Sequence, residues 1–332
     1  MEINHPYVLF LGDAADQLAA KTADGVARWR PDWCVGQLRL PGCLADTGLP
    51  DVELEAAYQA GARSLIVGVA NRGGVISDEW MTTLVAALDI GYDIACGLHN
   101  RLNHIPQLAD RAASLGRQLF DVRYPEIELT VGNGRRRPGK RVLTVGTDCS
   151  SGKMFTALSI EREMKSRGLD ADFRATGQTG ILIAGGGISV DAVISDFIAG
   201  ATEWLTPAAH NDHWDVIEGQ GSLFHASYAG VSLGLLHGAQ ADALVMCHEP
   251  TRTHMRGLPE AAIPSLTECI MLNEQCGRLT NTACRVVGVS VNTAAFTDAD
   301  ADGVLQQIEA ETGLPTVDAY RHGAARLVDA IT

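Results

Sequence analysis

Short apolar runs alternate with longer amphipathic stretches along nearly the whole chain. In the first third, residues 7–11, 33–40, 64–70, 92–96 and 118–122 have the length and β-branched, apolar character of buried strands. Helical periodicity fills the intervals at 15–29, 51–60, 77–88 and 104–115. The pattern lapses between Tyr124 and Lys140. There Pro125, Gly132-Asn133-Gly134, the run Arg135-Arg136-Arg137 and Pro138-Gly139 read as a solvated linker. It then resumes with strands at 142–145, 171–176, 214–217, 242–247 and 285–291. Helices are expected from 153 to about 167 and at 190–204 and 265–279, and a helix–strand–helix closes the chain over 300–330. Strands alternating with helices predict parallel sheets covered on both faces. The expected organisation is therefore α/β with two domains, residues 1–124 and 140–332, joined by a linker at 125–139.

One strand end stands apart. Val142-Leu143-Thr144-Val145 runs into Gly146-Thr147-Asp148-Cys149-Ser150-Ser151, and Gly152-Lys153 opens the next helix. A strand, a tight loop and a helix start surround an anion-sized space with unpaired N–H groups, the positive end of the helix dipole favours phosphate, and a lysine adds a point charge. A Rossmann-like first domain and a P-loop NTPase-like, doubly wound second domain are thus expected, with Gly146 to Lys153 binding the cofactor. The loop departs from the usual pattern in three ways. Five residues rather than four separate its outer glycine from Gly-Lys, Asp148 lies inside it, and Met154 stands where a Ser or Thr hydroxyl ordinarily holds Mg²⁺. Cys149 reads as a small loop filler.

Three more strand ends in this half carry polar sets: Gln178-Thr179-Gly180, Glu218-Gly219-Gln220-Gly221-Ser222 with His225 beyond it, and His248 to Arg256. Parallel strands present their carboxyl ends on one edge, so these sets are expected to converge there. Glu218 suits a metal-holding carboxylate or a general base, His225 a base, and Gln178 a hydrogen-bond donor to a polarised carbonyl. Alternation in an extended loop sends Arg252, His254 and Arg256 to one side, where they suit substrate carboxylates. Cys247, His248 and Glu249 are adjacent on a strand end and point to opposite faces, so they cannot ligate one ion, and no metal is expected. In the first domain, Asn71-Arg72-Gly73-Gly74 and Gly97-Leu98-His99-Asn100 mark the ligand edge, although turn glycines with solvated polar residues explain them equally well.

Composition narrows the partners. With 332 residues, 46% hydrophobic and 20% charged, the chain has the make-up of a globular protein of two domains. A net charge of −14 disfavours nucleic acid and anionic membranes, so an anionic ligand must find local positive groups. The first residues lack a signal-peptide pattern and no run approaches membrane-spanning length. Eight cysteines without a C-x-x-C pair read as reduced thiols in the cytoplasm. A small molecule is the expected partner, and a homo-oligomer the expected assembly.

Two family resemblances follow from these motifs. Gly146-Thr147-Asp148 with Gly152-Lys153 and Glu218-Gly219-Gln220-Gly221 resembles the dethiobiotin synthetase branch of phosphate-loop proteins. A longer set covers nearly the whole chain: Thr176-Gly177-Gln178-Thr179-Gly180-Ile181, Glu218-Gly219-Gln220-Gly221-Ser222-Leu223, Tyr228-Ala229-Gly230-Val231 and Cys247-His248-Glu249-Pro250-Thr251-Arg252. It is similar to a bacterial family that includes D-glutamate N-acetyltransferases. That resemblance implies an acyltransferase with acetyl-CoA as co-substrate and an acidic amino acid, D-glutamate, as acceptor. It also implies a dehydrogenase as pathway neighbour in amino-acid catabolism. Acetyl transfer fits Met154, because holding a coenzyme phosphate needs amides and Lys153 but no metal. Two alternatives are an ATP- and Mg-dependent ligase or kinase, using Asp148 and Glu218 to hold the metal, and a nucleotide-sensing module without catalysis.

Overall fold

A computed structural model describes residues 2–69, 76–125 and 127–332. In chain order it contains β1 (Tyr7–Gly12), α1 (Lys21–Trp29), β2 (Cys34–Arg39), α2 (Leu54–Gln59), β3 (Ser64–Val67), α3 (Asp78–Ile90), β4 (Asp93–Cys96), α4 (Pro106–Leu115) and β5 (Leu119–Asp121). There follow β6 (Lys140–Gly146), α5 (Lys153–Ser166), β7 (Ala171–Arg174), α6 (Gln178–Ala184), α7 (Ile198–Leu205), β8 (Trp214–Ile217), α8 (Ala229–Ala239) and β9 (Ala243–His248). The chain ends with β10 (His254–Met255), β11 (Leu258–Ala262), α9 (Leu266–Gly277), β12 (Arg285–Val291), α10 (Asp298–Thr312), β13 (Thr316–Val317) and α11 (Ala325–Ile331). Helix ends carry local signals: the Ser77 hydroxyl accepts from Trp80 N–H at 3.2 Å to open α3, and Ser265 with Glu268 forms a reciprocal cap on α9.

These elements form two compact units, residues 1–126 with 177–192, and residues 127–176 with 193–332. The first holds a five-stranded parallel sheet in the order β2-β1-β3-β4-β5. Its inner strands are buried end to end, as parallel strands covered on both faces must be. The second holds a six-stranded parallel sheet ordered β13-β12-β9-β6-β8-β7. Its core joins Leu143, Val145, Ile217, Leu244, Met246 and Val289 to α8, α9 and α10 through Leu235, Leu266 and Leu305. The chain leaves β6 toward β8 and β7 on one side and β9 on the other, so β6 ends at the sheet's switch point, where open α/β sheets bind ligands.

Three local expectations need correction. Gln178-Thr179-Gly180 is not a strand-end loop of the second domain. It opens α6, whose Ile181, Leu182 and Ile183 are buried against α1 in the first unit. There Ile3 N–H donates to Gly185 O at 2.9 Å and Arg123 pairs with Asp191 at 2.7 Å. In place of the helix expected over 190–204, α-helix runs only from Ile198 to Leu205, with short 3-10 turns before it. Two of the three arginines in the run are anchored, although Arg135 and Arg136 remain exposed. Arg136 reaches Asn281 Oδ1 and Asp242 Oδ1, both at 2.9 Å, and Arg137 donates to Thr206 O at 2.7 Å and Gly238 O at 2.8 Å. The loop Asn71-Arg72-Gly73-Gly74 lies outside the described residues.

Candidate functional site

The loop from Gly146 to Lys153 is held by its neighbours before any ligand is considered. Gly146 lies beside Cys247 of β9, and Thr147 N–H donates to Cys247 O at 3.1 Å. Ser222, beyond β8, donates its hydroxyl to Thr147 O at 3.0 Å. Ser150 (φ 52°) and Gly152 (φ 98°) both take left-handed backbone, a conformation a non-glycine residue keeps only when its surroundings impose it. A Cβ on Gly146 would stand 2.7 Å from Ser151 Oγ and 2.9 Å from Lys153 Nζ, so the tight wrap needs glycine there. Lys153 Nζ is folded into the loop, donating to Asp148 O at 2.7 Å and lying 3.4 Å from Ser151 Oγ. Burial pushes its pKa below the ordinary lysine value, with the neighbouring Asp148 among the groups opposing that shift. The first N–H groups of α5 have no intrahelical acceptor, which makes this the anion-ready end of the helix.

Asp148 faces away from that space. Its carboxylate is 1% exposed and accepts from Cys149 N–H (2.7 Å), Arg256 N–H (2.9 Å) and Arg252 Nη1 (2.7 Å). Arg252 also reaches Glu249 Oε2 at 2.7 Å, the carbonyl of Cys149, and that of Ser150 at 3.0 Å. The guanidinium expected to clamp a substrate instead ties the segment after β9 to the phosphate loop. His225 is corrected in the same way. Its Nδ1 lies 3.2 Å from Ser227 N–H and its Nε2 lies 3.0 Å from Arg256 O. Only the tautomer with the proton on Nε2 satisfies both contacts, which leaves no lone pair for a base.

The other expected residues are placed as follows. Glu218 sits buried at the end of β8, its Oε2 accepting Thr176 N–H at 2.9 Å. Gln178 belongs to the first unit, where its amide nitrogen lies 3.2 Å from Asp191 Oδ2 and 3.5 Å from Ser189 Oγ. His254 is exposed on the β10–β11 hairpin, its Nδ1 3.1 Å from Met255 O. The Arg256 guanidinium is exposed and has no side-chain acceptor among the described residues, and its charge reaches Cys149. Burial raises the Cys149 thiol pKa, while Lys153, Arg256 and Arg252 pull it down.

Sequence reading missed His248 as a base, weighing it only as a metal ligand. It ends β9 with Nδ1 3.0 Å from Thr147 Oγ1, at the entrance of the phosphate loop. Burial lowers its pKa from 6.5, with Glu249 opposing and Arg252 reinforcing, so it is neutral at neutral pH. When Nδ1–H donates to the threonine oxygen, Nε2 presents a lone pair. A polar residue ending a buried strand beside the loop was the available signal. Among the described residues, Asp148, Cys149 and His225 place potential ligand atoms within 4.8 Å of one another. The Asp148 oxygens are bound to amides and a guanidinium, and both His225 nitrogens are engaged, so this trio reads as a hydrogen-bond junction.

A parallel sheet with a glycine-lysine loop at the end of its central strand, in a chain that also carries a second parallel α/β unit, defines a P-loop protein with a Rossmann-like domain. Family models agree. Residues 129–328 match the P-loop domain of unknown function DUF1611_C, and residues 39–125 match the Rossmann-like domain DUF1611_N. The chain belongs to this DUF1611 family. It is 56% identical to a D-glutamate N-acetyltransferase of Tritonibacter scottomollicae and 47% identical to one of a Pseudoalteromonas species, each match covering 99% of both chains. A solved DUF1611-family protein from Anabaena variabilis superposes with a TM-score of 0.84 at 34% identity, again over 99% of each chain.

Proposed function

We propose that this chain transfers the acetyl group of acetyl-coenzyme A to the amino group of D-glutamate. The observation that carries the reading is full-length identity of 56% and 47% to two enzymes named for that acetylation. In the reaction the amine gives up a proton and its lone pair attacks the thioester carbonyl carbon. The C–S bond then breaks, and the coenzyme leaves as a thiol after taking up a proton. His248 suits the proton-accepting role, being neutral, oriented by Thr147 and beside the loop. Lys153 and the first amides of α5 suit a coenzyme phosphate, and Arg256 suits a carboxylate of the amino acid. Glu218 orients the strand end through Thr176. With eight free thiols, and no described helix long and apolar enough to cross a membrane, the setting we propose is the cytoplasm. The product then feeds a dehydrogenase in amino-acid breakdown.

The test is thiol release from acetyl-CoA with D-glutamate, with N-acetyl-D-glutamate identified by mass. Release without added Mg²⁺, and little with L-glutamate, is the expected result. Turnover that requires Mg·ATP and liberates phosphate would replace this reading with a ligase or kinase.

A further inference from the structure

Beside the phosphate loop, within the second unit, opens a cleft of about 510 Å³, a size suited to a small-molecule ligand. Ser151 and Gly152, the last residues of the loop, form one end of it. From there it follows α5 to Phe155, one helical turn on, and reaches Tyr320 on the loop after β13. The two rings lie 5.4 Å apart and tilted by 37°, and Tyr320 keeps 62% of its surface exposed. They form an aromatic corner, too close together to hold a ring between them, and the exposed surface of Tyr320 is where a flat group can be laid.

The polar groups around the cleft sort by what they already bind. Ser290 and Thr156 share a hydrogen bond of 2.8 Å, so this part of the floor offers little to a ligand. Asp318 is saturated, accepting from Thr293 N–H at 3.1 Å, Tyr320 N–H at 2.8 Å and Arg321 N–H at 3.2 Å. Asn292 accepts from Ala294 N–H at 3.1 Å through its side-chain oxygen, and its amide nitrogen has no acceptor among the described residues. Arg321 brings a cation to the rim, held by the carbonyls of Phe296 at 2.9 Å and Thr293 at 3.3 Å, by Asp318 at 3.8 Å and by Asp298, a carboxylate whose side chain is 95% exposed. The occupant therefore needs a flat face, hydrogen-bond acceptors and a negative group reaching the loop. An amino acid with two carboxylates has no such face and would find only one cation lining the cleft.

We infer that this cleft seats the adenine nucleoside of coenzyme A, with the adjoining phosphate on the loop and Arg321 beside the ribose phosphate. The inference rests on the acetyl-transfer reading for the choice of coenzyme, but on the cleft alone for the flat base. Base stacking on an aromatic side chain contributes about 1–3 kcal/mol, so loss of one ring weakens binding by roughly 5- to 150-fold.

Calorimetry with adenosine 3′,5′-bisphosphate, and competition of that probe against acetyl-CoA, test the assignment. Tyr320→Ala and Phe155→Ala are expected to weaken the bisphosphate about five-fold or more and to raise KM for acetyl-CoA, leaving KM for D-glutamate unchanged. Ala294→Trp, which fills the cleft from an exposed position, gives the same loss without removing a ring. Tyr320→Phe retains most of the affinity. Unchanged bisphosphate binding in Tyr320→Ala and Ala294→Trp, or a rise confined to KM for D-glutamate, overturns it. If D-glutamate is acetylated but the bisphosphate does not compete with acetyl-CoA, the cleft assignment alone fails. If the bisphosphate binds and the variants lose it while D-glutamate is never acetylated, the cleft stands and the reaction reading falls.

Discussion

Replacing Arg252 by alanine is the sharpest test of how this loop is built. The side chain binds Asp148, Glu249 and the carbonyls of Cys149 and Ser150 at once. Its removal leaves the Asp148 carboxylate buried with two backbone N–H donors among the described residues. Breaking a fully buried ion pair costs about 3–5 kcal/mol. Arg252 keeps 21% of its side chain exposed, so water screens part of the attraction, and the two remaining amides hold part of the Asp148 charge. A loss of about 2–3 kcal/mol follows once that screening is allowed for. For a unit of this size the midpoint of thermal unfolding should fall by roughly 4–10 °C. Adding Asp148→Asn removes the stranded charge and should recover part of that loss. The kinetics should follow the loop, with KM for acetyl-CoA rising and KM for D-glutamate nearly unchanged. Differential scanning calorimetry and steady-state kinetics read both. A variant with the parental melting point, normal donor affinity and a raised KM for D-glutamate would refute the latch and make Arg252 the substrate clamp that its sequence position suggests.

Lys153→Met should weaken coenzyme A by at least ten-fold, a charge-assisted contact being about 1.5–3 kcal/mol, without lowering the unfolding midpoint, because the buried ammonium is held below its ordinary pKa by desolvation. His248→Gln should lower kcat by roughly 10²–10⁴-fold with both KM values nearly constant; equal loss of stability and rate would make it a structural residue. Because burial lowers the His248 pKa from 6.5, the basic form persists below that value, and activity should fall only as pH drops through the lowered pKa. Stability carries the same sign: the unfolded chain takes up a proton first, so stability present above 6.5 is lost as pH falls below it, measurable by urea titration from pH 7 to 5. Activity should survive dialysis against EDTA and assay in a chelator; abolition that Mg²⁺ restores would show that the loop holds a metal–phosphate pair.

What the sequence made legible is what local spacing controls. Gly146 through Lys153 could be read because the strand, the loop and the helix start are contiguous, and Glu218 because an acid closing a buried strand interrupts an apolar run. The tie from Arg252 to Asp148 was not legible because its partner lies 104 positions earlier, and counting cations on a loop says nothing of which carboxylate they meet. His225 misled similarly: the carbonyl that claims its Nε2 comes from Arg256, after a connection that folds back over the loop. Gln178 was read as a strand-end residue because it follows the strand expected at 171–176. Yet the Ile-Leu-Ile run that follows is enough apolar surface to close a short helix on α1. The aromatic corner was illegible for the same reason as the latch, since Phe155 and Tyr320 meet only when α5 and the end of β13 share an edge.

A phosphate loop can serve a reacting phosphate or a phosphate that is merely a handle, and the two uses demand different neighbours. Phosphoryl transfer develops charge on the phosphate oxygens, and metal ions held by a loop hydroxyl and an acid ordinarily neutralise it. Here the residue after Lys153 is Met154, Asp148 is turned onto Arg252 and backbone amides, and Glu218 accepts from Thr176. The hydroxyl nearest the lysine, that of Ser151, already donates to Asp148 O at 3.1 Å. Oxygen donors of this kind serve the loop's own geometry. A handle asks less: orphan amides, one lysine and a cleft for the rest of the nucleotide. Binding energy gained on that remote part of an acyl donor can hold its thioester in reach of an amine, and only the transfer step then requires groups such as His248 at the loop's mouth. The departures from the phosphate-transfer pattern and the acetylation named for the relatives are both in keeping with the proposed use of the loop as a handle.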